Sequence, residues 1–467
     1  MVDLARHYIL SPHWCLRGWK LLPYAAQRFD APVTEFFLGH DYDLLRACDG
    51  QTDIDWLKLD DSDRSRYERW ERMGFIIRCP KGARLSPDQE YRFYPSRFKE
   101  RVQWSITGRC NYRCKHCFMS APTGAQGEPT WDELMVMLDA FERCGIRGLC
   151  LTGGEPLIRS DFWDLVDEIL RRGMVVPTIF SNGALVTDEF LDKLEQRSMR
   201  PNIQFSFDGV GWHDWMRGVP HAEQVAIDAM RRCKERGIPT SVSMVLCKHN
   251  AGCIRDTANL LASLGVGSLK IGNAYPQGEW QHQKEHWLSQ AEAYEAFLEY
   301  IPQYFEDGTP LTLALEGFFS YDIVRERMSA SHERNVEEQY FPRATMCAHV
   351  RREMYVSPQG RILPCMSMVG GPIEQQFPNM LETPLEKILD TDSPYMDIID
   401  ARISDFMEHN PECRECSWRT ACCGGCRAIA VRDHPLDYLA PDLLTCEYYK
   451  GGWKDRKDEL LRSIGRL

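Results

Sequence analysis

The chain has 467 residues, 43% hydrophobic and 27% charged, which argues against a disordered or membrane-embedded protein and fits two or three folded domains. Its net charge of −12 excludes a nucleic-acid partner, because such binding depends on lysine and arginine contacts to phosphate. Nineteen cysteines, an odd number in a chain too long to need disulfide staples, point instead to bound metal in a reducing compartment.

No targeting segment is expected, since the first apolar run, residues 8–10, is short and Pro12, His13 and Arg17 follow it. No run approaches the roughly 20 apolar residues of a membrane span, so the expected location is cytoplasmic. Residues 1–95 predict a strand over 33–38, a helix over 41–47, and a charged helix over 61–73 that passes through Gly74 into a strand over 75–79. That order suggests a small winged-helix-like unit, with 95–100 as a linker.

From Val102 strands and helices alternate. Strands are predicted over 102–107, 148–152, 176–181, 203–207, 240–246 and 268–272. Helices are predicted over 131–144, 161–172, 188–196, 223–236 and 253–264, the first with Thr130 and Glu133 as a capping box. Six such units argue for parallel strands, hence an α/β fold built on a partial (β/α)6 TIM barrel whose chemistry lies at the carboxyl ends of the strands. After about Thr309 the alternation fades and few segments there promise a core of their own. Seven cysteines with fixed local spacing suggest that metal holds this small C-terminal part together. Cys144, Cys150, Cys233 and Cys247 sit on apolar faces and are expected in the core.

Cys110, Cys114 and Cys117 follow the first barrel strand in a C-x3-C-x2-C spacing. Three thiolates on one loop can hold three corners of a cubane and leave one iron open, whereas structural zinc wants a fourth ligand that His116 is too close to Cys117 to supply. The motif resembles that of the radical S-adenosylmethionine superfamily, with His116 at its usually aromatic position. The resemblance implies a [4Fe-4S] cluster on these three cysteines and S-adenosylmethionine on its open iron. It also implies cofactor contacts from His116 in the loop, Gly153, Gly154 and Glu155 after the second strand, Ser181 and Asn182 after the third, and Ser206, Asp208 and Arg217 after the fourth. By their own chemistry the two glycines let the main chain approach a ligand, Ser and Asn begin loops, and Asp208 could equally cap the following turn.

The C-terminal spacing is Cys347-x12-Gly360-x4-Cys365, then Cys413-x2-Cys416-x5-Cys422-x3-Cys426, then Cys446. Alone, Cys413 to Cys426 would read as a zinc ribbon, and the chain as a zinc-stabilised binding module. The full array resembles the SPASM extension of radical enzymes. It implies an outer auxiliary cluster on Cys413, Cys416, Cys422 and Cys446 and an inner one on Cys347, Cys365 and Cys426, for three [4Fe-4S] clusters in all. The inner cluster's fourth ligand stays open, and Cys423 competes with Cys422.

Residues 61–77 resemble the helix and wing of PqqD-like elements, which bind a leader peptide by adding it as a strand to a sheet edge. The expected domains are therefore a recognition element at 1–95, a radical barrel at 96–308, a SPASM domain at 309–450 and a terminal helix at 451–467. These resemblances imply a maturase of ribosomally made peptides, similar to sactipeptide and ranthipeptide synthases. It would act on a precursor peptide with a leader and draw electrons from a donor such as flavodoxin or ferredoxin. A thioether from a cysteine sulfur to carbon is the expected crosslink, with a carbon–carbon bond as the alternative. A sulfatase-maturing enzyme is a second possibility, but such relatives carry Asp directly after the cysteine of G-x4-C, where this chain has Met366. Glu316, Asp322 and Tyr355 are candidate bases by their place in the sequence.

Overall fold

The computed structural model describes residues 7–390 and 393–467. In chain order come β1 (His7–Leu10), β2 (Trp14–Trp19), β3 (Leu22–Arg28), β4 (Thr34–Phe36), α1 (Gly39–Arg46), β5 (Asp49–Asp53), α2 (Asp61–Arg72), β6 (Ile76–Arg78) and β7 (Arg92–Tyr94). They form two small sheets, ordered β5-β1-β6 and β4-β3-β2-β7. Asp60 caps α2 by accepting from the Asp63 N–H, and Tyr67 and Trp70, three apart, turn one face of it onto Tyr8, Trp14 and Phe75. Gly74, at φ +71°, then turns the chain into β6. The first three strands were not expected from sequence: every residue of β2 is buried, so it lacks the alternation that marks a half-exposed strand. The stretch 96–100 is not a linker but buried throughout, its charges held by an Arg97–Asp400 pair at 2.6 Å and a Glu100–Arg352 pair at 2.5 Å.

The barrel follows as β8 (Arg101–Ser105), α3 (Trp131–Arg143), β9 (Gly148–Thr152), α4 (Phe162–Arg171), β10 (Thr178–Ser181), α5 (Asp188–Gln196), β11 (Asn202–Ser206), α6 (His213–Arg217), α7 (Ala222–Glu235), β12 (Thr240–Leu246), α8 (Ile254–Ser263) and β13 (Ser268–Asn273). Both halves of the Thr130–Glu133 capping box are made, and Leu134, Met137, Leu138 and Phe141 form the stripe that α3 buries. Cys144, Cys150, Cys233 and Cys247 are buried.

The sheet does not stop at residue 308. After α9 (Gln290–Glu306) come β14 (Thr312–Leu315), β15 (Phe319–Asp322), β16 (Arg327–Ser329), β17 (Glu353–Val356) and β18 (Ile362–Leu363). One sheet of eleven strands runs β16-β15-β14-β13-β12-β11-β10-β9-β8-β17-β18. Every neighbouring pair from β17 through β8 to β14 is parallel, and the order never closes, which makes the barrel partial. The C-terminal part also joins the barrel's own core through Met354, Tyr355, Val356, Ile362, Leu363, Leu385 and Tyr395, contrary to the expectation that it would bury little. β17 and β18 escaped notice because they are four and two residues long and buried on both faces. Among the described residues no helix is long and apolar enough to cross a membrane.

Candidate active site

At the carboxyl ends of the barrel strands lies a cavity of about 320 Å³. The loop after β8 brings Cys110, Cys114, His116 and Cys117 to it. Gly153 and Gly154 reach it from the end of β9, Ser181 and Asn182 from β10, Ser206 from β11 and Arg217 from α6. The glycine pair is required by a close approach of main chains: a Cβ on Gly154 would stand 2.1 Å from the Arg109 carbonyl oxygen, and one on Gly153 2.3 Å from that of Thr107. The Gly154 N–H donates to the Thr107 carbonyl at 3.0 Å and the Glu155 N–H to that of Arg109 at 2.9 Å, which docks the end of β9 on the cysteine loop. Asn182 clasps the same loop by donating its amide to Asn111 Oδ1 at 2.8 Å.

Glu155 and Asp208 stand behind the residues that line the cavity. Glu155 is fully buried, and its carboxylate accepts from the main-chain N–H groups of Asn182 (2.7 Å) and Leu157 (3.2 Å) and from Ser181 Oγ (3.1 Å). It braces β9 against β10. Burial pushes its pKa up to about 7 against the pull of those hydrogen bonds. Asp208, also fully buried, accepts from the Val245 N–H at 3.0 Å and pairs with Arg217 Nε at 2.7 Å and His116 Nε2 at 3.3 Å. Burial opposes its charge, but Arg217 and then His116 outweigh burial and hold its pKa well below the usual carboxylate range. Asp208 thus aims two residues that do face the cavity, and Arg217 in turn donates from Nη1 to Cys114 Sγ at 3.6 Å.

Gln204, Ser243 and Met366 also line the cavity and were not singled out as cofactor contacts. A signal for two of them existed: Asn202, Gln204 and Ser206 on β11, and Ser241 and Ser243 on β12, are polar residues at period two inside otherwise apolar strands. None of the candidate bases faces the cavity. Tyr355 is buried in the core, Glu316 pairs with Lys270 at 3.1 Å, and Asp322 caps a turn by accepting from the Val324 and Arg325 N–H groups.

A second hollow, of about 170 Å³, shares His116, Phe118, Val245 and Met366 with the first and adds Tyr275 and Ser367. Cys365 lines neither hollow but directly precedes Met366 and Ser367, which line the second. Cys365 is pushed up to about 12, chiefly by burial, and feels the charges of Cys426 and then Cys347, which places these three thiols near one another. Farther out, Cys413, Cys416, Cys422 and Cys446 line a single cavity of about 240 Å³. Cys423 does not; it is buried at φ +51° and donates its thiol to the Thr420 carbonyl at 3.1 Å.

The cysteines therefore gather in sets of three, three and four, all of them outside disulfides. Burial pushes Cys110 up to about 12 and raises Cys114 as well, against the opposing pull of the Arg217 guanidinium, so metal would bind by displacing protons from these thiols. Among the described residues no three donors converge on a single-ion site. A four-iron cubane spreads its thiolates more widely than one ion does, and all-thiol sets suit it.

Comparison with known proteins agrees with this chemistry. Residues 104–261 match the radical SAM superfamily, and residues 347–417 match SPASM, an iron–sulfur cluster-binding domain. The chain thus joins a radical SAM domain to a SPASM domain, in an α/β fold with a partial barrel and a small C-terminal iron–sulfur part. It is similar to the AdoMet-dependent heme synthase of Nitratidesulfovibrio vulgaris, at 25% identity over 74% of this chain and 92% of that one. Similarity to the PqqA peptide cyclase of Granulibacter bethesdensis is also 25%, over 70% of this chain and 81% of the relative. In fold it resembles Streptococcus suis SuiB, solved bound to its precursor peptide SuiA, with a TM-score of 0.64 at 16% identity over 94% of this chain and all of that one.

Proposed function

We propose that this protein is a radical enzyme that modifies a ribosomally made precursor peptide by joining two of its side chains. The observation that carries the reading is a pair of hollows that share His116 and Met366, one lined by the three-cysteine loop and the other by Ser367, two residues past Cys365, which offers room for a substrate beside the cofactor site. Cys110, Cys114 and Cys117 would hold a [4Fe-4S] cluster that, with bound S-adenosylmethionine, supplies a 5′-deoxyadenosyl radical. The chain's own residues do the rest. Gly153 and Gly154 bring main chain to the cofactor, Ser206 and Arg217 offer polar contacts, and Asp208 fixes Arg217 and His116 in place. Phe118, Val245 and Met366 keep the reacting carbon away from water.

A crosslink removes two hydrogens from the peptide. One leaves in 5′-deoxyadenosine and the other as a proton, so one electron must find an acceptor. Cys347, Cys365 and Cys426 would hold that acceptor, and Cys413, Cys416, Cys422 and Cys446 a further cluster outside it. A thioether from a substrate cysteine is the favoured product and a carbon–carbon bond the alternative. The N-terminal sheets would take the leader by strand addition, and a flavodoxin or ferredoxin would deliver electrons.

The heme synthase relative favours a second reading, action on a tetrapyrrole, but it leaves about a quarter of the chain unmatched, whereas the SuiB fold extends over 94% of it. Formylglycine formation is less favoured, since Met366 offers no proton acceptor where such enzymes carry Asp. The deciding experiment is mass spectrometry of a cysteine-containing peptide encoded beside this protein. It is incubated anaerobically with enzyme, dithionite and S-adenosylmethionine, and should lose two hydrogens. An unchanged peptide together with turnover of a porphyrin would overturn the peptide reading.

A further inference from the structure

We propose that a hollow at the junction of the N-terminal sheet, the 96–100 segment and the C-terminal part binds an acidic side chain of the peptide substrate and so selects precursors carrying glutamate or aspartate there. The inference rests on the peptide reading above. The hollow, about 600 Å³, lies outside the cavities that the cysteines line.

Its basic side is unusual for a chain of net charge −12. Lys99 is 1% exposed, with its ammonium on the carbonyl oxygens of Val350 (2.5 Å) and Glu353 (3.4 Å) and 5.2 Å from the Tyr395 ring centre. Among the described residues it pairs with no carboxylate. Arg97, 9% exposed, gives Nη2 to Asp400 at 2.6 Å while its Nε has no partner. Arg351 stands 3.9 Å from the same carboxylate. Two guanidiniums that line the hollow, Arg97 and Arg351, thus share one acid, Asp400, and the Lys99 amine, which burial holds down to about 7, lies within reach of the same acid's charge. Lys20 and Arg352 have acids of their own in Asp390 and Glu100, and the one acid in the lining, Glu35, is exposed. Desolvated cations short of counter-charge favour a carboxylate that enters with its own hydrogen-bonding oxygens.

A second observation says that the carboxylate arrives on a peptide. The opposite wall is β4, the last strand of its sheet. Its bonds to β3 include Arg28 N–H to the Val33 carbonyl and Phe37 N–H to the Tyr24 carbonyl, both 2.9 Å, so the alternate residues Thr34 and Phe36 turn their main-chain groups away from β3. Both line the hollow. Leu22 and Phe36, exposed at the same wall, suit apolar side chains. An extended segment alternating acidic and apolar residues would place its acids toward Arg97, Lys99 and Arg351 and its apolar residues on Leu22 and Phe36.

The test uses the full chain and three fluorescein-labelled octapeptides in which valine alternates with glutamate, glutamine or lysine, read by fluorescence anisotropy. The glutamate peptide is expected to bind at least about tenfold more tightly than the glutamine peptide, with an affinity that falls as NaCl is raised. Arg351→Gln should erase that preference while leaving glutamine-peptide affinity and peptide-independent cofactor cleavage unchanged, and Arg351→Lys should restore part of it. Equal affinities for the glutamate and glutamine peptides would overturn the acid site and leave the peptide reading standing. Preference retained in Arg351→Gln would overturn the assignment to this hollow. Full displacement of the glutamate peptide by millimolar inorganic phosphate would make it a site for free anions instead. A precursor unchanged in the mass assay above would sink the peptide reading whatever binds here.

Discussion

At Asp208 one buried carboxylate orders three groups of the cavity wall: the Val245 N–H, the Arg217 guanidinium and the His116 ring. Asp208→Asn keeps the shape and removes the charge, so Arg217 loses its fixed partner without any thiol being touched. Affinity for S-adenosylmethionine should fall about tenfold while iron content stays level, measured by equilibrium dialysis and iron assay. A parallel loss of iron would mean that Asp208 supports the cysteine loop itself. Glu155 makes the converse case, a carboxyl whose pKa is raised by burial from 4.5 to about 7. The folded protein keeps that proton where the unfolded chain has lost it, so stability falls as pH rises from 4.5 toward 7 and is level above. Glu155→Gln removes this dependence. Thermal melts should show the variant gaining on the wild type across that window, by at most about 3 kcal/mol, whereas parallel curves would show Glu155 ionised throughout. Both acids follow closely on strand ends, which sequence shows because position after a strand is a local property. Sequence could not say which way they point, because that is set by Asn182 just after β10 and Val245 on β12, neither of them a sequence neighbour.

Among the elements, those of the barrel were the legible ones: β9, β12 and α5 begin and end where their periodicity predicted. β12 and α5 show their periods, and β9, buried at every residue, stands out as a short apolar run between Arg147 and Gly153. β2, β17 and β18 showed none, being buried on both sides or only two to four residues long. The spacing of the cysteines was legible for a different reason, since spacing on a loop is preserved whatever the strands do; coordinates were needed to place Cys422 at the cavity of Cys413, Cys416 and Cys446 and Cys423 away from it. The contact that couples element to site is Gly154 on the cysteine loop. Gly154→Ala puts a methyl 2.1 Å from the Arg109 carbonyl, against main chain that cannot swing aside as a side chain would. The loop must move, at a cost of about 1–3 kcal/mol. The expected result is a lower denaturation midpoint together with loss of cofactor cleavage, while the iron bound by the C-terminal cysteines is retained. Unaltered cleavage would show that the loop accommodates the methyl without disturbing its thiols.

For the molecule as a whole, the N-terminal part behaves as a wedge held by both of the others. Trp19 is fully buried; it donates Nε1 to the Cys144 carbonyl at 2.9 Å and packs on Tyr94 and Phe98 at ring distances of 5.5 and 4.8 Å. Lys20 beside it pairs with Asp390, so two adjacent residues tie the N-terminal sheet to the barrel and to the C-terminal part. The composition of 95–100 read as a linker because its residues are polar and charged. Burial of that stretch follows from partners in distant parts of the chain, Asp400 and Arg352, that no local pattern can show. Trp19→Ala removes a large ring from this junction, which typically costs about 3–5 kcal/mol in a core that cannot collapse around the gap. The junction rather than the barrel should give way, since the barrel core clusters separately from Trp19. Limited proteolysis should then cut the variant within 95–100 and leave the wild type intact there, with iron content unchanged. Equal resistance of the two proteins would show that the ion pairs hold the wedge without the tryptophan.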